Sequence, residues 1–501
     1  ADDWWGVFRA NVRSGRTQRL SKRDHHATSP RWSPDGRRIA YLSAGGDGLE
    51  KAPDLNRLLV MARSGTNVRD VTPKPGARTA PRWSGDGKHL YWIGYEGKSG
   101  EWLDHEHSVW RTRISARPGS VALNPGHDRW GMNMVGSDAT SSFATMLEVY
   151  QDTGEERVVF GSDEDGCYRL YSCAGDGGDV RPELDGDVSV LGLSVGSGDA
   201  PAAAAVVGTA TDTGEVVRVP LDGTRGFERL TSVTKPFFQP LRFRVPEEFR
   251  LKNGDVDLQC WVLKPPHFRG SRKHPCLIEV HGGPMTQYGS VFFHEMQVLA
   301  ARGWVVAFCN PRGSSGRGVK FCNVIEGDWG NVDWSDVRAL TNHLAKQKWV
   351  NAKRMGILGG SYGGFLTTWA VGHTDRFKAA VTMRQAGDFW IHWGSSDFGH
   401  MRTNFFGKKH PWEAPAEYHR QSPNFHAKNI RTPLLILHNE GDLRCPIAEG
   451  EGLFTAMKVL DQAPCEMVRF EGEFHGLSRG GKPLNREERL KRIVDWFDRY
   501  L

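Results

Sequence analysis

The sequence predicts two domains of different class. Residues 1–240 are predicted to form an all-β propeller, and residues 241–501 a mostly parallel, doubly wound sheet with helices on both faces. Three observations lead to this prediction. The length of 501 residues exceeds what one hydrophobic core usually supports. The first part repeats hairpin patterns with almost no helical periodicity, whereas the second part alternates strand-like and helical runs.

A repeat organises the first domain. Residues 31–36 read Arg-Trp-Ser-Pro-Asp-Gly and residues 82–87 read Arg-Trp-Ser-Gly-Asp-Gly, and their spacing of roughly 50 residues suits one four-stranded propeller blade. A strand, a glycine-containing turn and another strand recur at residues 7–20, 58–72, 108–123, 169–184 and 215–231. Five hairpins predict at least five blades; an irregular all-β sandwich is the alternative. Because the chain opens inside a hairpin, we expect a propeller that is short or lacks its first blades.

The second domain alternates predicted strands and helices. Strands are predicted at residues 257–264, 275–280, 304–309, 354–358, 379–383, 433–438 and 466–470, and helices at 293–302, 334–347, 362–372 and 486–501. This alternation is typical of a mostly parallel sheet covered by helices. For the last helix, Asn485 is the predicted N-cap and Glu488 its capping-box partner.

The strand that ends at Leu358 runs into Gly359-Gly360-Ser361-Tyr362-Gly363, directly before a predicted helix. A serine on such a sharp strand-to-helix turn is a nucleophile elbow. Gly359 and Gly363 suit the turn because residues two before and two after the serine must lack a Cβ. A serine hydroxyl is a weak nucleophile at neutral pH, so a base and an orienting acid are needed from elsewhere in the chain.

Two later loops at the carboxyl ends of strands carry candidates for these roles. Asp442 follows the strand at 433–438, and His475 follows the strand at 466–470. The order Ser361, Asp442, His475 is that of α/β-hydrolases. We expect His475 to be the general base and Asp442 to orient it, with Glu440 and Glu473 as rival acids in the same loops.

Acyl transfer also needs donors for the oxyanion. The backbone N–H of Tyr362 is the first predicted donor, because it directly follows the serine. The second is expected in the loop after an early strand, where His281-Gly282-Gly283-Pro284 lies, and we assign it to the N–H of Gly283.

Composition excludes several other classes of function. The formal charge of +6 is small for this length, and no basic block is interleaved with aromatics, so no nucleic-acid partner is expected. The eight cysteines form no CxxC pair, which favours a reducing, cytoplasmic location. No apolar run approaches the roughly 18 residues of a membrane span. No signal peptide is recognised in the sequence. Because the chain opens with Ala1 and lacks an initiator Met, the sequence leaves open whether a leader or a longer N-terminal segment precedes it.

Metal ligation is also not expected. Residues 104–107 read Asp-His-Glu-His, which alternates possible ligand types, but the sequence offers no third partner for them. We therefore predict neither a metal nor a cofactor.

Several segments now resemble the prolyl oligopeptidase family of serine peptidases, in particular its acylaminoacyl-peptidase branch. They are HGGP at 281–284, NPRGSSGRG at 310–318, GDWG at 327–330 with Asp336 following, GGSYGG at 359–364, the Asp442 loop and FHGLSRGGKP at 474–483. The resemblance implies a hydrolase domain capped by a propeller that admits short peptides and excludes folded proteins. It also implies a homo-oligomer. The first domain is short for a seven-bladed propeller of this family.

For the substrate subsites the resemblance is less specific. It implies that Arg312 binds a substrate carbonyl or carboxylate, and a structural ion pair is the alternative. Glu155 and Glu156 are similar to the paired glutamates with which dipeptidyl peptidases hold a free amine, but their place at a hairpin turn favours a solvated turn.

The predicted function is a metal-free serine peptidase acting on short peptides through an acyl-enzyme, with acylaminoacyl-peptide hydrolysis as the leading activity. Carboxypeptidase-like or dipeptidyl activity on the same residues is the first alternative. An esterase acting on small acyl esters is a third possibility. It needs no propeller, so the presence of residues 1–240 argues against it. A propeller binding module with an inactive hydrolase half is the rival from a different class.

Overall fold

The computed structural model describes residues 5–45, 52, 54–101, 104–139, 144–196, 200–399, 406 and 408–501. Its first part consists of antiparallel hairpins and meanders. A two-stranded hairpin, β1 (Phe8–Ala10) with β2 (Thr17–Arg19), comes first. Within the described residues, four four-stranded units follow. They are β3 (His26–Trp32), β4 (Arg38–Ala44), β5 (Arg57–Ala62) and β6 (Arg69–Asp70); β7 (Gly76–Trp83), β8 (His89–Glu96), β9 (Ser108–Arg113) and β10 (Ser120–Ala122); β11 (Leu147–Asp152), β12 (Glu155–Glu164), β13 (Cys167–Ala174) and β14 (Arg181–Pro182); β15 (Ser189–Val195), β16 (Ala202–Thr209), β17 (Asp212–Pro220) and β18 (Glu228–Arg229).

These units have the arrangement of propeller blades. The first strands of successive units, β3, β7, β11 and β15, lie beside one another, and each unit continues outward as an antiparallel meander. The five hairpins predicted from the sequence are the pairs β1–β2, β5–β6, β9–β10, β13–β14 and β17–β18. The Asp-Gly pair that ends the first repeat, residues 35–36, forms the turn between β3 and β4, with Gly36 at φ 65°. The described part of the chain therefore holds four complete blades and one two-stranded unit.

After the short helix α1 (Lys235–Phe238), the second part forms one eight-stranded sheet. Its strands are β19 (Glu247–Asn253), β20 (Val256–Leu263), β21 (His274–Val280), β22 (Val305–Asn310), β23 (Val350–Gly360), β24 (Ala379–Met383), β25 (Leu434–Asn439) and β26 (Cys465–Phe470). They are ordered β19-β20-β22-β21-β23-β24-β25-β26. The first two pairings are antiparallel and all the others parallel, so the predicted mostly parallel sheet is confirmed.

Helices cover both faces of this sheet. They are α2 (His294–Ala301), α3 (Val319–Asn323), α4 (Val332–Ala345), α5 (Tyr362–His373), α6 (Phe389–Ser395), α7 (Pro415–Gln421), a 3-10 helix (Pro423–Asn429), α8 (Ile447–Leu460), α9 (Leu477–Gly480) and α10 (Pro483–Tyr500). Neighbouring residues of β23 enter opposite cores, since Ile357 packs in one apolar cluster and Leu358 in the other. Within the described residues, no helix combines the length and the apolar character that crossing a membrane requires.

One prediction about local structure is wrong, and one long helix is missed. The last helix begins at Pro483, because proline is pre-organised for the first helical position, so Asn485 is not its N-cap. The Asn485 amide instead donates to the Glu473 carboxylate at 2.7 Å, and Glu488 pairs with Arg492. No helix is predicted for α8, whose first turns contain two glycines. Gly450 is there because a Cβ would approach the His438 ring to 2.4 Å.

The two domains meet through closely packed backbone. The turn at Gly166 and the loop at Gly289 approach so closely that a Cβ on Gly289 would lie 1.8 Å from the Gly166 carbonyl oxygen. The N–H of Ser290 donates to that oxygen at 2.7 Å, and the Gln287 side chain accepts from the Gly166 N–H at 2.7 Å. This contact fixes the propeller over the carboxyl edge of the sheet.

Candidate active site

The nucleophile elbow predicted from the sequence is present at the end of β23. Ser361 lies between β23 and α5 with φ 61° and ψ −121°. A Cβ on Gly359 would lie 2.6 Å from the carbonyl oxygens of both Gly363 and Val280, and one on Gly363 would lie 2.1 Å from the latter oxygen. Both positions are therefore restricted to glycine, and the turn presents the serine side chain at the carboxyl edge of the sheet.

Three separate loops at this edge of the sheet bring together Ser361, His475 and Asp442. The Ser361 Oγ lies 3.0 Å from the His475 Nε2, and the His475 Nδ1 lies 2.7 Å from one Asp442 carboxylate oxygen and 3.0 Å from the other. The Asp442 carboxylate also accepts from the backbone N–H groups of Arg444 and Cys445, each at 2.9 Å. The imidazole is thus held between a fixed carboxylate and the serine hydroxyl.

The two rival acids have other partners. Glu440 pairs with Arg469 at 3.0 Å on the surface. Glu473 accepts from the Lys482 N–H at 3.0 Å and from the Asn485 side chain. Asp442 is therefore the acid that the structure places against His475.

The electrostatic surroundings suit proton transfer from the serine. Burial lowers the pKa of His475 to about 4, although the hydrogen bond and charge of Asp442 act in the opposite direction. Burial acts to raise the pKa of Asp442, but the hydrogen bond and charge of His475 outweigh it and hold that pKa below its usual value. At neutral pH the imidazole is consequently free to accept a proton and the carboxylate is ionised.

The two residues predicted to donate to an oxyanion lie on two segments that border the serine. Tyr362 begins α5, and its ring is anchored by a 2.6 Å hydrogen bond from its hydroxyl to Asp333. The loop after β21 approaches from the other side, since a Cβ on Gly282 would lie 3.6 Å from the Ser361 Cβ. Gly282 and Gly283 line the same cavity as Ser361. Tyr362 and Gly283 therefore both border Ser361, and their roles as oxyanion donors stay a prediction.

A cavity of about 330 Å³ opens beside Ser361 between the two domains. The hydrolase loops form one wall and the propeller segment 130–138 forms the other. Apolar side chains from both domains line it, namely Trp130, Met132, Met134, Met285, Phe293, Met383 and Phe398. The charged groups of its lining are Arg384, Arg444, Arg479, Arg489, Asp138, Glu279 and Glu295. Sequence reasoning singled out none of these charged residues.

Each carboxyl group of this lining has a partner or a raised pKa. Asp138 reaches across from the propeller and accepts from the first N–H groups of α2, those of His294 at 2.6 Å and Glu295 at 2.8 Å. The Glu295 side chain is paired with Arg489. Burial, together with the charge of Glu295, raises the pKa of Glu279 well above its ordinary value. Asp138 and Glu295 thus have partners within the protein, and Glu279 holds its proton more tightly than an ordinary carboxyl group.

Arg312 is placed away from this cavity. Its guanidinium donates to the Asp336 carboxylate at 2.9 Å and 2.7 Å, and its backbone N–H donates there as well. Arg312 does not line the cavity beside Ser361 in the described part of the chain. The structure thus shows the ion pair that the sequence left as the alternative role of this residue.

Two further sets of residues were considered in the sequence. Glu155 and Glu156 lie outside the cavity lining, and residues 104–107 do not belong to a metal-binding group among the described residues. Glu156 joins two blades by accepting from the Gly85 N–H and the Tyr91 hydroxyl, each at 2.6 Å, and Glu155 is exposed. Over the residues that the structure describes, no group of three or more His, Cys, Asp or Glu side chains has the arrangement of a metal site.

The sheet order, the elbow and the hydrogen-bonded serine, histidine and aspartate define a serine hydrolase of the α/β-hydrolase class. Residues 290–501 match the profile of the prolyl oligopeptidase family. The hydrolase domain belongs to that family of serine-type peptidases.

Curated relatives are longer than this chain. The uncharacterized peptidase YuxL of Bacillus subtilis is 41% identical over 276 residues, which cover 55% of this chain and 42% of the relative. The dipeptidyl-peptidase 5 of Porphyromonas gingivalis is 25% identical over 493 residues, which cover 94% of this chain and 66% of the relative. The chain thus spans less than two thirds of either protein.

Solved structures share the fold over nearly the whole chain. An acylaminoacyl peptidase of Pyrococcus horikoshii superposes with a TM-score of 0.66 at 23% identity, covering 98% of this chain and 91% of that one. A puromycin-hydrolyzing peptidase of Mycobacterium tuberculosis superposes with a TM-score of 0.71 at 23% identity, covering 97% and 72%. These likenesses confirm a propeller followed by an α/β-hydrolase domain.

Proposed function

We propose that the chain is a serine peptidase that cleaves short peptides through an acyl-enzyme on Ser361, with N-acylated peptides as its preferred substrates. The observation that carries the proposal is the hydrogen-bonded series from the Ser361 hydroxyl through His475 to Asp442, at the edge of a cavity between the domains.

In the proposed reaction the Ser361 Oγ attacks the scissile carbonyl while the His475 Nε2 takes the hydroxyl proton. Asp442 keeps the tautomer that leaves Nε2 as the acceptor and stabilises the imidazolium that forms. The N–H groups of Tyr362 and Gly283 are assigned to the oxyanion of the tetrahedral intermediate. His475 then protonates the leaving amine, and a water molecule activated in the same way hydrolyses the acyl-enzyme.

The position of the propeller supports short substrates. Segment 130–138 lies across the cavity from the elbow, and the domains are joined by backbone contacts such as the one between Gly166 and Gly289. A folded protein cannot enter a cavity of about 330 Å³, whereas a few peptide residues fit it.

The charges of the lining support a blocked N-terminus. A dipeptidyl peptidase has to hold a free ammonium group, for which a carboxylate is the natural partner. Asp138 already accepts two backbone N–H groups, Glu295 is paired with Arg489, and the pKa of Glu279 is raised, so each is a poor partner for an ammonium group. A neutral acyl group beside Trp130, Met132 and Met134 needs none. The name of the Pyrococcus neighbour, acylaminoacyl peptidase, agrees with this proposal.

The test is turnover of matched chromogenic peptides, one N-acetylated and one with a free amine, alongside labelling by a serine-directed phosphonate. We expect a higher kcat/KM for the acetylated peptide and labelling that Ser361→Ala abolishes. Preference for the free amine would overturn the acylaminoacyl assignment in favour of dipeptidyl activity. Absence of both turnover and labelling would overturn the peptidase itself and favour a binding module with an inactive hydrolase half.

A further inference from the structure

Four arginines line the cavity beside Ser361, and they fall into two pairs. Arg444 donates to Asp397 at 2.7 Å, and Arg489 is paired with Glu295. Arg384 and Arg479, in contrast, form no ion pair and no side-chain hydrogen bond with any residue that the structure describes. A cation that is largely removed from water is costly unless an anion joins it. The second pair is therefore incomplete in the free protein.

Arg384 directly follows β24 and lies against the nucleophile elbow. A Cβ on Gly360 would lie 2.6 Å from its Nη1 and 2.9 Å from its Nη2, so the guanidinium fits over the glycine that precedes the serine. The Nε of Arg384 is buried and has no hydrogen-bond partner among the described residues. Burial, with the neighbouring charges of Arg479 and Arg489, lowers the pKa of Arg384 to about 10, which still leaves it charged at neutral pH.

Arg479 lines the same cavity as Ser361 and His475. It lies on α9, four residues after His475, and is itself largely shielded from water. The charges of Arg384 and Arg479 both act on His475 and lower its pKa. Both arginines therefore line the cavity that contains Ser361 and His475. The carboxylates whose charges act on them, Asp442, Glu295 and Asp138, are engaged by His475, by Arg489 and by backbone N–H groups.

We propose that Arg384 and Arg479 form a binding site for the C-terminal carboxylate of the substrate, on the leaving-group side of the scissile bond. This inference rests on the proposed peptidase function. His475 protonates the leaving nitrogen, and in a leaving amino acid only one carbon separates that nitrogen from the carboxylate. A carboxylate at this distance lies beside His475, where the two planar guanidinium groups can each donate to it. The preferred substrate is then an N-acylated peptide that ends one residue beyond the scissile bond.

Binding to the Ser361→Ala protein tests the site without requiring turnover. Calorimetry would compare three N-acetylated dipeptides: one with a free C-terminal carboxylate, one with a C-terminal amide, and one amide-terminated with a glutamate in the last position. We expect the free acid to bind about 10-fold more tightly than the plain amide, the scale of a hydrogen bond to a charged group. Equal affinities would overturn the inference, and tightest binding of the glutamate peptide would assign the site to a side chain and overturn the C-terminal assignment.

Single variants then identify the residues responsible. Arg384→Met and Arg479→Met, each in the Ser361→Ala background, should remove most of the preference for the free acid, and Arg384→Lys should keep part of it because the charge remains. Arg492→Met, which removes a surface arginine paired with Glu488, is the matched control and should keep the full preference. A loss of affinity for acid and amide alike would show a structural role and contradict the inference.

The same variants with Ser361 intact separate this inference from the proposed function. Phosphonate labelling of Ser361 should persist in Arg384→Met and Arg479→Met, while KM rises for the acid substrate and stays constant for the amide. Absence of labelling in the unaltered protein would overturn the peptidase but leave the binding result valid. Labelling together with an unchanged KM ratio would overturn the carboxylate site alone.

Discussion

The two walls of the cavity are built in different ways. The hydrolase wall presents hydrogen-bonding groups fixed by strand ends and by glycines without room for a Cβ, with Ser361, Asp442 and His475 within 3.0 Å of their partners. The propeller wall presents mostly apolar side chains, with Asp138 as its charged group. Asp138 does not point to a reacting atom but caps a hydrolase helix. In the proposed function, the hydrolase wall carries out the reaction, and the propeller wall limits which substrates reach Ser361 and how they are positioned.

The largest expected effect comes from removing the nucleophile of the hydrolase wall. Ser361→Ala should lower kcat by about 10⁴- to 10⁶-fold, because the hydroxyl and its base act as one unit. The measurement is kcat on the acetylated chromogenic peptide, with circular dichroism as the control for folding. If the variant kept its activity, the acyl-enzyme mechanism would be wrong.

The next effect concerns the acid behind the histidine. Asp442→Asn should lower kcat by about 10⁴-fold, since an amide favours the wrong imidazole tautomer. Glu440→Gln is the matched control, because Glu440 lies in the same loop but pairs with Arg469, and its activity should be unchanged. Equal losses in both variants would point to damage of the loop instead of a specific role for Asp442.

The pH dependence of kcat/KM tests whether His475, in the hydrolase wall, is shielded from water. His475 must be neutral to act as a base, and a pKa near 4 keeps it neutral far below the ordinary value of 6.5. Lowering the pH from 7.5 to 5.5 should therefore change kcat/KM little, whereas an unshifted histidine would lose about 10-fold. An acid limb with its midpoint near 6.5 would contradict the shielding of His475.

The smallest effect tests the link between the walls. Asp138→Ala removes the acceptor for two N–H groups of α2 and should lower the free energy of unfolding by about 1–2 kcal/mol. Asp176→Ala, an exposed propeller turn, is the control and should leave stability unchanged. Denaturant unfolding measures both. A destabilisation of Asp138→Ala no larger than that of the control would show that the propeller wall does not support the helix.

The sequence allowed the elbow and the loops of Asp442 and His475 to be located, because local rules govern them. A strand-to-helix turn restricts its neighbours to glycine, and parallel strands bring their carboxyl ends to one edge. The hairpins of the propeller were predictable for a similar reason, since turn residues such as Gly36 mark them.

The charged lining could not be predicted in the same way. Arg479 lies inside the segment FHGLSRGGKP and Arg384 directly follows a predicted strand, but no pattern in the sequence marks either as unpaired. What distinguishes them is that neither side chain has a partner among the residues that the structure describes. The position of Arg384 after a parallel strand was the only signal that could have drawn attention to it. The capping role of Asp138 depends on a contact with a helix more than 150 residues away, for which no local pattern exists. For Arg312 the sequence suggested too much. Its position inside a recognisable motif predicted a substrate subsite, but in the structure it forms an ion pair with Asp336.

The backbone contact between Gly166 and Gly289 limits how far the two domains can be exchanged. A Cβ at Gly289 would collide with a carbonyl oxygen of the propeller, so the fit depends on the course of the main chain on both sides and not on side chains that can adapt. A propeller grafted from a relative would have to reproduce that turn, with a glycine facing it, before the cavity could form. Recombination between members of the family should therefore succeed when both halves of this contact are inherited together.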